Sequence, residues 1–258
     1  MIQIGPAGLG TPPIDNLRLF KKLGFSCAEV EFVRNIYMNA ETAKKVGDEA
    51  KKLGVSLSIH CPYAINLASD DKEKIEASKK RILKSCEIGH YLKARYIVFH
   101  PAYYGKHNPE IIYNKVKDSI LEMQEEINKN NWNVILCPET AGKLSQFGSL
   151  EELKNLIRET NCSVCVDFAH IKARNIGVID YSDICKKLRG IKDLTAHFSG
   201  IKYGARGEIS HLITTDEDIN LLLKNLIEHK IDIRIISESP DPINDGIRML
   251  KTLSTIVG

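Results

Sequence analysis

Residues 162–170 read CSVCVDFAH. The run begins with small, apolar and β-branched side chains, as suits a strand buried on both faces. It then meets Asp167 and, three positions on, His170. An isolated charge is costly to remove from water, so a buried strand that ends in a carboxylate and an imidazole implies partners waiting for both.

Working outward, seven more runs have the same character: IQIG, CAEVEFV, VSLSIHC, RYIVFHP, WNVILCPE, LTAHFSG and IRIISESP. Between them lie segments with apolar residues at three and four spacing and Lys/Glu on the opposite face, among them Asp70 to Leu92, Pro109 to Asn130, Asp216 to His229 and a last one from Asn244 to Ile256. Such alternation predicts parallel strands joined by right-handed crossovers, and eight units close a barrel. An open dinucleotide-binding sheet is disfavoured, because the first strand–helix junction, GPAGLGTPP, lacks a G-x-G-x-x-G leading into a helix. No linker or low-complexity tract divides the 258 residues. The expectation is a single α/β domain, a (β/α)8 TIM barrel spanning residues 1–258.

The composition agrees. Hydrophobic residues make up 43% and charged residues 27%, which excludes a disordered chain, while a net charge of +3 permits a polyanionic partner without demanding one. The N-terminal MIQIGPAGLGTPP has no basic, then apolar, leader pattern, and no window approaches a membrane span. Seven scattered cysteines suit a reducing compartment, so a cytoplasmic protein without membrane contact is expected. Cys162 and Cys165 form a C-x-x-C, but no second pair follows at zinc-ribbon spacing, and both read as strand residues. The Lys-rich segments KKVGDEAKK, DKEKIEASKKR and CKKLRG read as solvated outer helix faces.

Placed on this map, His60, His100, Glu139, Asp167, His197 and Glu238 each fall at or just beyond the C-terminal end of a different strand, from the third to the eighth. In a parallel barrel those ends share one face, where active sites are built. His170 and His211 can join them from the loops after strands six and seven. Crowded carboxylates repel unless a cation neutralises them, and surrounded by imidazoles they suit divalent metal. Zn²⁺ takes His nitrogen and carboxylate oxygen, Mn²⁺ accepts the same donors, and the set is too large for one ion. His90, His107 and His229 receive no role: a helix, a polar loop and a helix C-terminus account for them.

These motifs, HCPYAINLAS, FHPAYYG, PETAGK, VCVDFAHIKA, AHFSG followed by YGAR, and SESP, resemble in order and placement those of the endonuclease IV family, zinc-dependent apurinic/apyrimidinic endonucleases on a TIM barrel. The resemblance implies hydrolysis of the phosphodiester 5′ to an abasic site in double-stranded DNA by a monomer holding two to three zinc ions. By it, His60 and His100 hold one zinc, Glu139 bridges to a second and is the catalytic carboxylate, and Asp167, His197 and Glu238 complete that second site. His170 and His211 hold a third with one more carboxylate. The family's Asp-x-His pair is replaced here by ARGEISHL, which offers Glu208 at a different spacing. The chain also lacks the Asn-Asp that usually follows the strand-seven His, and resembles an archaeal-type branch. The same resemblance points to Tyr63, Asn66 and Arg206 as DNA-binding residues, with Arg34 and Tyr104 as further candidates.

Two other readings compete. A sugar isomerase or epimerase of the xylose isomerase type needs only Glu139, Asp167, His197 and Glu238 for a single ion; His60, His100, His170 and His211 are then surplus. A non-catalytic nucleic-acid-binding barrel with structural zinc would need closed four-ligand shells, which this open set does not match.

Overall fold

The computed structural model describes residues 1–258. Its strands are β1 (Ile2–Pro6), β2 (Cys27–Glu31), β3 (Ser56–His60), β4 (Tyr96–Phe99), β5 (Ala102–Tyr103), β6 (Ile135–Pro138), β7 (Gln146–Phe147), β8 (Cys165–Asp167), β9 (Thr195–Phe198), β10 (Gly200–Gly204), β11 (Gly207–Leu212) and β12 (Ile233–Ser237). The helices are α1 (Pro13–Lys22), α2 (Ala40–Leu53), α3 (Lys72–Leu92), α4 (Pro109–Lys129), α5 (Leu150–Thr160), α6 (Phe168–Arg174), α7 (Tyr181–Leu188), α8 (Asp216–Glu228) and α9 (Pro242–Val257). Side-chain caps and prolines in the first turn set where the helices start. α5 opens with a reciprocal capping box between Ser149 and Glu152, and Pro13, Pro109 and Pro242 stand in the first turns of α1, α4 and α9.

Two parallel arcs, β2-β3-β4-β6 and β8-β9-β12-β1, make the barrel. One seam is closed by a backbone bond from Ser26 N to Ile4 O at 3.2 Å, and the other by Ser163 N to Leu136 O at 3.0 Å and a parallel bridge between Glu139 and Cys165. The expected (β/α)8 barrel is therefore the fold. At the first seam β1 meets β2 at Gly5, where a Cβ would stand 1.7 Å from the Cys27 carbonyl oxygen. Backbone cannot yield as a side chain can. Gly5→Ala is expected to cost at least about 3 kcal/mol, read as a fall in Tm of roughly 6–12 °C for a chain of this size.

The period of two along each strand divides its side chains between an outer and an inner surface. Val30, Leu57, Ile59, Ile97, Phe99, Leu136, Val166, Ala196 and Ile235 join the main core between sheet and helices. The alternate residues face the barrel interior, which is partly apolar, with Val98, Cys137 and Cys165 packed together, and partly polar, with buried Glu29, Ser58, Thr195 and Arg234. His60, Glu139, Asp167 and His197 share this inward parity and are buried at the carboxyl ends of their strands.

Several segments depart from the sequence-based expectation. The strand expected over 162–170 is only Cys165–Asp167, because Asp167 turns the chain into α6 as its N-cap, its Oδ1 accepting the His170 backbone N–H at 2.7 Å. Cys162 is buried but lies before β8. The ARGEISHL segment, taken as a loop, forms most of the β10–β11 hairpin, with a register shift at Lys202/Tyr203. Another helix, α7, occupies the same crossover as α6. His90, His107 and His229 lie where expected, His229 as the C-cap of α8, where it is buried and its imidazole is held between Ser182 and Arg189. All seven cysteines are free and buried, and no helix is long and apolar enough to cross a membrane.

Candidate metal centre

Glu139 stands at the centre of the cluster. Its Oε2 lies 3.2 Å from His60 Nε2 and 3.4 Å from His100 Nε2, and its Oε1 lies 3.0 Å from His197 Nδ1 and 3.4 Å from His170 Nδ1. The two carboxylate oxygens thus serve two different pairs of imidazoles. His197 Nδ1 is also 3.2 Å from Glu238 Oε1. Around this centre the donor atoms fall into sets within 4.8 Å of one another: His60, His100 and Glu139; Glu139, Asp167, His197 and Glu238; and Asp167, His170 and His211. Glu208 Oε2 approaches the third set, 3.5 Å from His170 Nε2. Its approach requires Gly142, where a Cβ would meet Glu208 Cβ at 2.7 Å and His170 Cδ2 at 2.9 Å.

Backbone carbonyls fix how several imidazoles are presented. A carbonyl only accepts, so His60 Nδ1 donates to Cys61 O at 2.8 Å and His211 Nδ1 donates to Glu238 O at 2.9 Å, leaving each Nε2 turned inward. His170 Nδ1 likewise donates to Thr140 O at 2.9 Å, and its Nε2 faces His211 Nε2 at 3.4 Å. Two nitrogens at that distance, with Glu208 beside them, leave a place for a shared cation. Thr140 also joins β6 to β8, its hydroxyl accepting from Asp167 N at 2.7 Å and donating to Asp167 O at 3.1 Å.

The electrostatics of the cluster reflect burial against mutual attraction. Burial alone would push the Glu139 carboxyl up, but His100, His197 and His170 around it hold it well below the usual carboxylate range. Burial likewise lowers His60 and His170, yet Glu139 raises the first to about 9, and Asp167, Glu139 and Glu208 raise the second to about 10. His100 is pushed down to about 3 by burial and its imidazole neighbours, Glu139 notwithstanding. Burial pushes Glu238 up to about 7, against the pull of His197 and with the help of Glu139 and Asp167.

Asp167 Oδ2 is buried without any hydrogen-bond partner, and an unpaired buried carboxylate oxygen fits metal coordination. The donor set, imidazole and carboxylate with one carboxylate between two groups, fits zinc or manganese. Cys165 also comes within reach of Glu139 and His197. Its thiol is pushed far up by burial, away from the thiolate a metal requires, so it serves as packing.

The mouth above the cluster is a cavity of about 300 Å³ lined by four of the five imidazoles, all but His197, together with Tyr63, Tyr103, Lys143 and Gln146. Tyr63 is 54% exposed, with its ring 5.5 Å from that of His60. Arg206 is exposed at the turn of the β10–β11 hairpin, and Arg34 is exposed beyond β2. Two DNA-contact candidates have other occupations. Asn66 accepts the Ala68 N–H in a local turn. Tyr104 is turned away, its hydroxyl donating to Glu152 Oε1 at 2.7 Å, and its neighbour Tyr103 faces the cavity in its place. Sequence reasoning also missed Lys143 and Glu29. The glutamate was within reach of the same rule, since CAEVE places Glu29 at an inward-facing position of β2.

Fold and site together define a (β/α)8 barrel with a histidine–carboxylate cluster at the carboxyl ends of its strands. The chain belongs to the xylose isomerase-like TIM barrel family, whose model matches residues 17–253. It is 35% identical over 266 residues to an uncharacterized protein of Methanocaldococcus jannaschii, covering 97% of this chain and 96% of that one. A probable endonuclease 4 of Mesomycoplasma hyopneumoniae is 28% identical over 136 residues, 51% of this chain and 47% of that relative. Among solved structures, endonuclease IV from Thermus thermophilus superposes with a TM-score of 0.72 at 19% identity, covering 99% of both chains. D-psicose 3-epimerase from Clostridium cellulolyticum superposes equally well, at 0.73 and 12% identity over 99% of both chains. Both structural likenesses speak for the fold alone.

Proposed function

We propose that the protein is a metal-dependent phosphodiesterase that cuts double-stranded DNA on the 5′ side of an abasic site, working as a cytoplasmic monomer with two to three zinc ions. The observation that carries this reading is the division of labour on Glu139: one oxygen faces His60 and His100, the other faces His170 and His197. A one-metal sugar epimerase has no use for the first pair. Partial matches to relatives named endonuclease 4 support the same direction.

In this reading His60, His100 and Glu139 would hold one ion, Glu139, Asp167, His197 and Glu238 would hold a second, and His170 and His211 would hold a third with Glu208 close by. Bound zinc lowers the pKa of water and neutralises phosphate charge. Glu139, between the imidazole pairs, would fix the spacing of the donor groups. Tyr63, exposed beside His60, offers a ring face to an unstacked nucleotide, and an abasic residue leaves the duplex cheaply because it has no base to unpair. Lys143 and Arg206 at the rim supply cations for backbone phosphates.

The test is incision of a duplex carrying one tetrahydrofuran abasic analogue, beside an intact duplex and a His170→Ala variant. That analogue does not undergo β-elimination, so a cut on its 5′ side reports hydrolysis. Lesion-specific cleavage by zinc-loaded protein, lost in the variant, is the expected result. Absence of cleavage together with epimerisation of a free ketose by the manganese-loaded protein would overturn it.

A further inference from the structure

His197 differs from the other imidazoles of the cluster in what holds it from behind. Its Nδ1 faces Glu139 and Glu238, while its Nε2 lies 3.0 Å from Glu29 Oε1. Neither atom makes a hydrogen bond elsewhere, and their approach is an ion-pair contact whose angle falls short of a hydrogen bond. Both residues are fully buried, so no water competes for the contact.

Glu29 is itself held. Its Oε2 accepts from Ser58 Oγ at 2.5 Å, and Ser58 Oγ accepts from Arg234 Nη2 at 3.0 Å. The buried guanidinium is anchored in turn on Ala28 O at 2.9 Å and lies over the Tyr96 ring, 5.2 Å from its centre. The chain Arg234–Ser58–Glu29–His197 crosses the barrel interior through four strands and ends on the cluster.

We propose that Glu29 is a positioning residue for the metal centre: by accepting the Nε2 proton of His197 it fixes that imidazole in the tautomer and orientation that turn the Nδ1 lone pair toward Glu139 and Glu238, and Ser58 and Arg234 hold Glu29 in place to do so. An imidazole that binds a cation through one nitrogen carries its proton on the other, and an acceptor behind that proton makes the ring a better donor. Glu29 Oε1, at 3.0 Å, is the carboxylate oxygen that stands beside Nε2, and a small rotation of the ring or carboxylate brings the two into line. The inference rests on the metal-centre reading and adds to it a residue from a strand that contributes no ligand.

The test measures zinc affinity by competition with a chromophoric chelator for wild type, Glu29→Ala, Glu29→Gln and Ser58→Ala, with the melting temperature of each in excess chelator. Glu29→Ala is expected to weaken the step that His197 serves by about 10–100-fold while the remaining steps stay near their wild-type values. Glu29→Gln keeps a carbonyl to receive the proton and is expected to recover much of that loss. Ser58→Ala keeps the carboxylate but frees it, giving a smaller loss of the same step. In the zinc-loaded wild type the His197 Nε2–H is expected as a downfield, slowly exchanging proton resonance, absent from Glu29→Ala.

A merely structural role predicts something else: a lower melting temperature in chelator with unchanged affinity at every step, and that result overturns the proposal. Should Glu29→Ala not fold, equal affinities of wild type, Glu29→Gln and Ser58→Ala, with an unaltered His197 resonance, overturn it equally. A wild-type protein that binds no zinc removes the metal-centre reading and this inference with it, which sets that failure apart from a failure of Glu29 alone.

Discussion

Glu139→Gln is expected to lower the rate of incision at an abasic site by at least about 10³-fold and to reduce the zinc content of the protein. The side chain keeps its shape but loses its charge, and one of its two oxygens becomes an NH₂ group that can only donate. In the native cluster those oxygens face two different pairs of imidazoles, His60 with His100 and His170 with His197. Whichever way the amide is placed, one pair faces N–H groups where an acceptor stood. The buried imidazoles also lose the carboxylate that offsets their charge, and burying an uncompensated charge is costly. Rates and metal content measured on the same preparation check this. A variant that keeps its full metal content and cuts within tenfold of wild type would remove Glu139 from the centre of the mechanism.

The barrel was readable from the sequence because eight short buried runs alternate with amphipathic helices, a pattern that few folds satisfy. The convergence of His60, His100, Glu139, Asp167, His197 and Glu238 was readable for a related reason. In parallel strands a fixed side-chain parity and a common end determine which residues meet, and the carboxyl ends of a closed barrel leave no other place for them. Glu29 is harder to read because it lies in mid-strand and not at the carboxyl end, although Cys27, Glu29 and Glu31 follow the same alternation. That Tyr103 and not the expected Tyr104 faces the cavity turns on the two-residue ribbon of β5 with β7, a contact between segments far apart in sequence that local pattern does not encode. The placement of Glu208 is tertiary in the same way: it depends on a hairpin with a register shift and on the missing Cβ of Gly142. His170 reached the cluster by helix capping rather than by strand parity, since Asp167 ends β8 and turns the next residues into α6.

Zinc uptake is expected to release protons and to strengthen steeply with pH. In the metal-free protein burial works against charge on His60 and His170, but the carboxylates around them prevail and raise the two to about 9 and about 10. Both therefore carry an extra proton at neutral pH. A metal takes only a lone pair, so each must give one up, and so must His197, which despite its burial is held well above the usual imidazole value by Cys165, Glu238, Glu29 and Glu139 beside it. Binding near pH 7.5 should release about three protons, with affinity rising about 1000-fold per pH unit. Glu238, raised to about 7, adds to the release below that pH and drops out above it. The sign for stability follows from the same shifts. A histidine raised above its unfolded value of 6.5 contributes stability that is complete below that pH and is lost as pH climbs through the folded value, here between about 9 and 10. The chelated protein should thus weaken as pH approaches 10, while the zinc-loaded protein keeps its cluster and the gap between their melting temperatures widens. Calorimetric titration of zinc in buffers of different ionisation enthalpy counts the protons, and melting with and without chelator from pH 6.5 to 9.5 measures the gap. An affinity flat across that range would mean that His60 and His170 do not give up protons to a metal, and would leave the first and third sites each short of one proposed imidazole.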